Sequence, residues 1–167
     1  MQVITEMESR LILRSAREDA TEYLGKILGE HLRSGDVVVL DGDLGAGKTV
    51  MTRGIANGMG LHDRVASPTY TIVREYGDES STKMFHFDVY RLDGEDDFVF
   101  SGLDEYFDRN GVCVIEWGLR IASILPAEKL SVLFRGSGEL IGTERYFELI
   151  DLVRTRLSEV SGLEPLL

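Results

Sequence analysis

A chain of 167 residues, 43% hydrophobic and 28% charged, has globular composition and the length to bury most of its apolar surface without staples. Its formal net charge of -11 makes the surface as a whole repel nucleic acid and anionic membrane, so action on RNA calls for a local basic patch or a partner. The single cysteine, Cys113, excludes an internal disulfide.

The first eight residues hold no basic stretch leading into an apolar core, and no run approaches the length of a membrane span. A cytoplasmic protein of one domain, 1–167, is the expectation, with neither membrane nor DNA as a partner. Residues 10–13 form a short apolar run suited to an opening strand. Ser15 and Glu18 stand at capping-box spacing, which predicts a helix entry. Ala20, Tyr23, Leu24, Ile27, Leu28 and Leu32 follow at helical spacing, and Gly35 stands where that helix would stop. Residues 37–40, all apolar and three of them β-branched, predict a strand buried on both faces. A glycine loop comes next, then a helix from Lys48 to about Met59.

Residues 69–76 read as a strand and 77–81 as a turn. Residues 83–90 then alternate, with Phe85, Phe87 and Val89 on one face and Met84, His86, Asp88 and Tyr90 on the other, a polar one. So short a link predicts an antiparallel hairpin. Residues 103–107 are expected to be helical and 112–116 to be a second buried strand. Cys113 lies in that run as a small hydrophobe, with no cationic neighbour to activate its thiol. A helical turn at 121–125, strands at 130–134 and 146–150, and a polar tail helix from about 151 complete the chain. No repeat or linker divides it. The fold class expected is α/β, a P-loop NTPase-like three-layer fold whose mixed central sheet includes an antiparallel hairpin.

The strongest chemical signal is Gly42-Asp43-Leu44-Gly45-Ala46-Gly47-Lys48-Thr49, which fits G-x-x-x-x-G-K-[ST]. Glycines let consecutive backbone N–H groups converge on phosphate oxygens without side-chain collision. The helix that follows aims its unpaired N–H donors at the same anion. Lys48 is expected on the β- and γ-phosphates and the Thr49 hydroxyl on magnesium. Hydrolysis also needs a carboxylate for the metal shell, and Glu116, at the end of its apolar strand, stands where that acid belongs. Asp88, between His86 and Tyr90 and followed by Arg91, is the second candidate carboxylate, while His86 suits a functional or a structural role equally. Lys48, Asp88 and Glu116 are the expected catalytic groups. Ser67-Pro68-Thr69-Tyr70-Thr71 follows the loop helix where many NTPases keep a γ-phosphate-sensing segment, and a hydroxyl such as that of Thr69 can ligate magnesium or water. The acids Asp93, Glu95, Asp96, Asp97, Asp104, Glu105 and Asp108 suit a solvated face. Trp117 is either core or an aromatic wall beside the nucleotide.

In this order and spacing, GDLGAGKT, SPTYT, HFDVYRL and VIEW resemble the TsaE family, small ATPases of bacterial tRNA threonylcarbamoyladenosine (t6A) synthesis. The stretch SAREDATEYLG from Ser15 and the late Arg145 fit as well. The resemblance implies a mixed-sheet P-loop ATPase that uses ATP and Mg2+, weak alone and stimulated by TsaD and TsaB homologues. Those partners carry out the threonylcarbamoyl transfer, so tRNA is reached only through them. The resemblance further implies Thr49 and Glu116 on magnesium and Asp88 in the metal or water shell. It makes Trp117 an active-site position, Arg145 a nucleotide contact and Glu18 a contact to the base. Val50 departs from the family's frequent hydroxyl after GKT, which puts an α-phosphate contact in doubt.

Two other functions fit the loop. A small-molecule P-loop kinase would use Asp88 as base and Arg91 as clamp, but no arginine cluster for a lid follows Trp117. A nucleotide-gated binding module would need little turnover. A guanine-specific N/T-K-x-D motif is missing, since Thr82-Lys83-Met84-Phe85 lacks its aspartate, so ATP is expected over GTP.

Overall fold

The computed structural model describes residues 2–7, 10–15, 19–136 and 145–151, with side chains over 19–135. Its strands are β1 (Gln2–Met7), β2 (Arg10–Ser15), β3 (Val37–Gly42), β4 (Val73–Tyr76), β5 (Lys83–Asp88), β6 (Gly111–Glu116), β7 (Leu130–Gly136) and β8 (Arg145–Asp151). They form one sheet in the order β1-β2-β8-β7-β3-β6-β5-β4. β3 runs parallel to both β6 and β7, and β5 parallel to β6. β4 folds back antiparallel on β5, and the β7–β8, β8–β2 and β2–β1 pairs are antiparallel too. The mixed sheet and its hairpin agree with the sequence expectation.

Three layers follow from the alternation of apolar side chains along β3. Val38 and Leu40 face helices α1 (Ala20–His31) and α2 (Lys48–Gly58), packing with Leu24, Leu28, Met51 and Ile55. Val37 and Val39 face the other way, into a cluster with Phe85, Phe87, Ile115 and Phe98 of helix α3 (Glu95–Phe100). Two 3-10 turns, Leu103–Asp108 and Gly118–Ile124, add Leu103 and Ile121 to that second cluster. The loop helix α2 crosses α1 at backbone contact: a Cβ on Gly54 would sit 2.1 Å from the Glu22 carbonyl oxygen, and one on Gly25 2.3 Å from that of Met51.

Several local expectations are corrected. Ser15 is the last residue of β2, opposite Arg145, and the helix begins at Ala20 after Asp19 with no side-chain cap. The capping box therefore does not form from Ser15, and Glu18 lies outside the described residues. The segment before β4 is a turn and not a strand. The Thr71 and Ile72 N–H groups both donate to the Pro68 carbonyl, and Ile72 takes a φ of 65°. A β-branched residue in that region is strained. The polar face expected on β5 is buried, with His86 and Asp88 enclosed beside the loop helix. Helix α3 arises from the acidic run, whose Glu95, Asp96 and Asp97 occupy its first turn, where the helix dipole favours negative charge. The tail expected to be helical beyond 151 lies outside the described residues.

Candidate active site

The C-terminal ends of β3, β5 and β6 lie side by side, at the edge where open α/β sheets place their ligands. β3 runs straight into the glycine loop. Gly42, Gly45 and Gly47 adopt φ of 148°, 79° and 106°, three left-handed-side torsions in six residues that glycine takes without strain. Gly42 has a second constraint, since a Cβ there would fall 2.6 Å from Phe134 Cβ. Over Gly45 the space is open. Gly47 precedes α2, whose first turn has neither a side-chain cap nor an acidic residue, so its leading N–H donors are available to an anion.

Lys48, the first residue of α2, is 4% exposed. Its Nζ donates to the carbonyl oxygens of Gly42 at 2.7 Å and Asp43 at 2.9 Å, and stands 3.6 Å over the Trp117 ring. Burial pushes the ammonium pKa below its usual 10.5, against the opposing pull of Glu116, Asp41, Asp88 and Asp43. Next along the helix, Thr49 Oγ1 donates to Glu116 Oε1 at 2.9 Å and lies 3.2 Å from Oε2. Glu116 ends β6, and its Oε1 also meets His86 Nε2 at 2.8 Å. Asp88 is the β5 residue in register with Glu116. Its Oδ2 accepts from Thr69 Oγ1 at 2.7 Å and lies 3.1 Å from Ser67 Oγ, while Oδ1 accepts the Tyr90 N–H.

Trp117 turns the chain out of β6 with φ 65°, held by its N–H on the Leu40 carbonyl at 2.9 Å. Its ring packs on Tyr90, 5.0 Å between centroids, as well as on Lys48. These groups enclose a cleft of about 270 Å³, bounded by the loop, by Ser67 and Thr69, and by Asp88, Glu116 and Trp117. Val50 lines it without a hydroxyl, and Leu44 at the loop tip is 87% exposed. A larger depression of about 540 Å³ is ringed by Asp93, Glu95, Asp96, Asp97 and Arg120. With four carboxylates against one guanidinium, it repels phosphate.

The structure thus brings together the glycine loop, Lys48, Thr49, Thr69, Asp88, Glu116 and Trp117. Arg145 opens β8, with its side chain outside the described residues, as is all of Glu18. The acidic run 93–108 stands apart, around the larger depression and along α3.

Sequence reasoning passes over Asp41, although an acid at the end of an otherwise apolar buried strand was the available signal. It is 6% exposed and accepts the Leu119 N–H at 3.3 and 3.1 Å on its two oxygens. Burial raises its pKa above the ordinary 3.8, outweighing that N–H and the charge of Lys48. A raised folded-state pKa means that the folded chain holds the proton more tightly than the unfolded one. Asp41's contribution to stability is therefore present at low pH and lost as pH rises from the ordinary carboxylate value through the folded one. Asp41→Asn keeps an oxygen for Leu119 and removes this titration. In urea unfolding, the variant is expected to gain stability relative to the native chain as pH rises above the ordinary carboxylate value of 3.8. A difference independent of pH would contradict the raised pKa.

Similar proteins share this arrangement of chain. The family model described as "Threonylcarbamoyl adenosine biosynthesis protein TsaE" matches residues 15–145, a span that contains every element around the cleft. The tRNA threonylcarbamoyladenosine biosynthesis protein TsaE of Bacillus subtilis is 41% identical over 126 residues, 75% of this chain and 78% of that protein. The protein of the same name from Treponema pallidum is also 41% identical over 126 residues, 75% of this chain and 90% of that protein. A crystal structure of Bacillus subtilis YdiB superposes with a TM-score of 0.73 at 34% identity, covering 93% of this chain and 94% of that one. With the family model spanning residues 15–145 and the fold shared over 93% of the chain, the chain belongs to the TsaE family.

Proposed function

We propose that the chain binds ATP with Mg2+ in the cleft above the glycine loop and hydrolyses it, as an accessory ATPase of t6A synthesis. It does so as a single cytoplasmic domain, acting on TsaD and TsaB homologues that handle the tRNA. The observation that carries this reading is the Thr49 hydroxyl held at 2.9 Å on the Glu116 carboxylate beside the open face of the loop. Hydroxyl and carboxylate oxygens are the hard donors magnesium takes, and the loop's backbone suits phosphate. Among the described residues no three His, Cys, Asp or Glu side chains gather to hold a metal by themselves. That suits an ion that arrives with the nucleotide and keeps phosphate oxygens and water as most of its ligands.

Thr49 and Glu116 would hold the metal, which would supply neutralisation of phosphate charge. Lys48 exchanges the Gly42 and Asp43 carbonyls for phosphate oxygens. Asp88, fixed by Thr69, Ser67 and the Tyr90 N–H, orients the attacking water. Trp117 shields the Lys48 ammonium from solvent. The loop, Lys48, Thr49, Asp88 and Glu116 that line the cleft suit the phosphates of the nucleotide. No helix among the described residues is long and apolar enough to cross a membrane, and a net charge of -11 disfavours direct capture of tRNA.

Phosphate release from Mg-ATP tests the proposal. Slow release by the chain alone and faster release with the TsaD and TsaB homologues are expected. Asp88→Ala and Glu116→Ala should each lower kcat on the order of 100-fold with smaller changes in nucleotide affinity, because such groups act mainly in the transition state. No release in any mixture, or wild-type rates in both variants, would overturn the assignment. Depleting the protein from cells should leave their tRNA short of threonylcarbamoyladenosine.

A further inference from the structure

We infer that His86 is a positioning residue for Glu116: its Nε2–H pins the carboxylate in the orientation that meets Thr49 and the metal. The inference rests on the metal-site reading above and adds to it a residue of strand β5 that touches neither phosphate loop nor water-orienting acid.

His86 is fully buried, at 0% exposure. Strand register places it opposite Val114, two residues before the β6 position of Glu116, so the ring reaches diagonally across the pair. Nε2 lies 2.8 Å from Glu116 Oε1. The other ring nitrogen, Nδ1, is buried with no hydrogen-bond partner among the described residues. That asymmetry assigns the proton. A ring with its proton on Nδ1 would bury an N–H donor without an acceptor and turn a lone pair toward a carboxylate. A single proton on Nε2 leaves only a lone pair unmet and donates the other bond to the acid.

The geometry at the carboxylate shows what this bond does. Oε1 receives both close donors, Thr49 Oγ1 at 2.9 Å and His86 Nε2 at 2.8 Å, while among the described residues Oε2 has only the longer 3.2 Å contact to Thr49. The histidine holds Oε1 from the strand side, fixes rotation of the group and leaves Oε2 as the oxygen able to meet a cation. A histidine retained merely to fill space has no need of that bond, since an apolar residue would fill the site without stranding Nδ1. Residues that hydrogen-bond a metal-binding carboxylate in this way set its orientation and are worth about 10–100-fold in metal affinity or activity.

The test compares the native chain with His86→Leu, which removes the donor, and His86→Gln, whose side-chain amide can donate in place of Nε2. Trp117 is the single tryptophan and borders the cleft, so its fluorescence follows a titration of MgCl2 at a fixed concentration of non-hydrolysable ATP analogue. His86→Leu is expected to raise the Mg2+ half-saturation and lower kcat, each about 10–100-fold, and to leave analogue affinity in EDTA near the native value. His86→Gln should recover most of both losses. In the 15N-labelled native chain, NMR should place the ring proton on Nε2. A native Mg2+ half-saturation in His86→Leu, a His86→Gln variant no better than His86→Leu, or a proton on Nδ1 would each overturn the role of His86. The NMR measurement needs no variant and decides the matter even if His86→Leu fails to fold. A native chain with no Mg2+ response at all would overturn the proposed function together with this role, whereas a native response untouched by His86→Leu overturns the role alone.

Discussion

Lys48→Ala is expected to weaken nucleotide binding roughly 30- to 5,000-fold while the fold survives. Among the described residues lining the cleft, Lys48 is the one basic side chain, and it balances the charges of Glu116, Asp41, Asp88 and Asp43. Its removal takes away the attraction to a triphosphate and also leaves those carboxylates facing it without a counter-charge. Truncating one member of a buried charged set costs about 2–5 kcal/mol, which corresponds to roughly 30- to 5,000-fold in affinity. The hydrophobic layers on either side of the sheet do not include Lys48, so the circular dichroism of the variant should match that of the native chain. Lys48→Arg should also be impaired. A planar guanidinium cannot take the place of a compact ammonium that meets two loop carbonyls and the face of Trp117. Calorimetry with Mg-ATP decides the point, and an unchanged Kd in Lys48→Ala would remove the phosphate role from the loop.

What was legible in the sequence is what depends on short-range pattern. The glycine loop declares itself because its chemistry is backbone chemistry, and Glu116 because an acid at the end of an apolar strand has few structural uses. The antiparallel hairpin was readable from a short link between a strand run and an alternating one. Features that arise only once strands lie side by side were not. His86 reads equally as functional or structural on an alternating strand, and only the packed sheet shows it buried. Asp41 carried the same signal as Glu116, an acid at the end of an apolar strand, and what the sequence hides is its partner, the Leu119 N–H that the turn after Trp117 returns to it. The strand expected at 69–76 shortens to β4 because Thr69 and Ser67 reach the Asp88 carboxylate, and this holds the chain in a turn that its β-branched residues disfavour. Helix α3 was hidden by its own charge, since an acidic first turn looks the same in sequence as a solvated loop.

Gly54→Ala is expected to destabilise the chain by several kcal/mol, although by helix propensity alone it should stabilise it by about 1 kcal/mol. The two effects have opposite sign, and the geometry decides between them. A Cβ on Gly54 would lie 2.1 Å from the Glu22 carbonyl oxygen and 2.9 Å from the Lys26 nitrogen, both backbone atoms that no rotamer change can move. Gly58 meets the Lys26 carbonyl in the same way one turn later, and Gly25 and Gly29 return the contact from α1. The methyl group therefore forces α1 and α2 apart and opens the layer formed by Leu24, Leu28, Met51 and Ile55. Overpacking in a close-packed core costs about 1–3 kcal/mol, and more where backbone must shift, out of a total stability of roughly 5–15 kcal/mol. The displacement also reaches the site, because α2 begins at Lys48 and carries Thr49 to within 2.9 Å of Glu116. A Gly54→Ala chain that still folds should thus lose nucleotide affinity as well. Glu30→Ala, at an exposed position of α1, serves as the control and should change stability by no more than about 0.5 kcal/mol. Urea unfolding of the three chains gives the comparison, and a Gly54→Ala chain at least as stable as the native one would mean that α1 and α2 do not meet backbone to backbone.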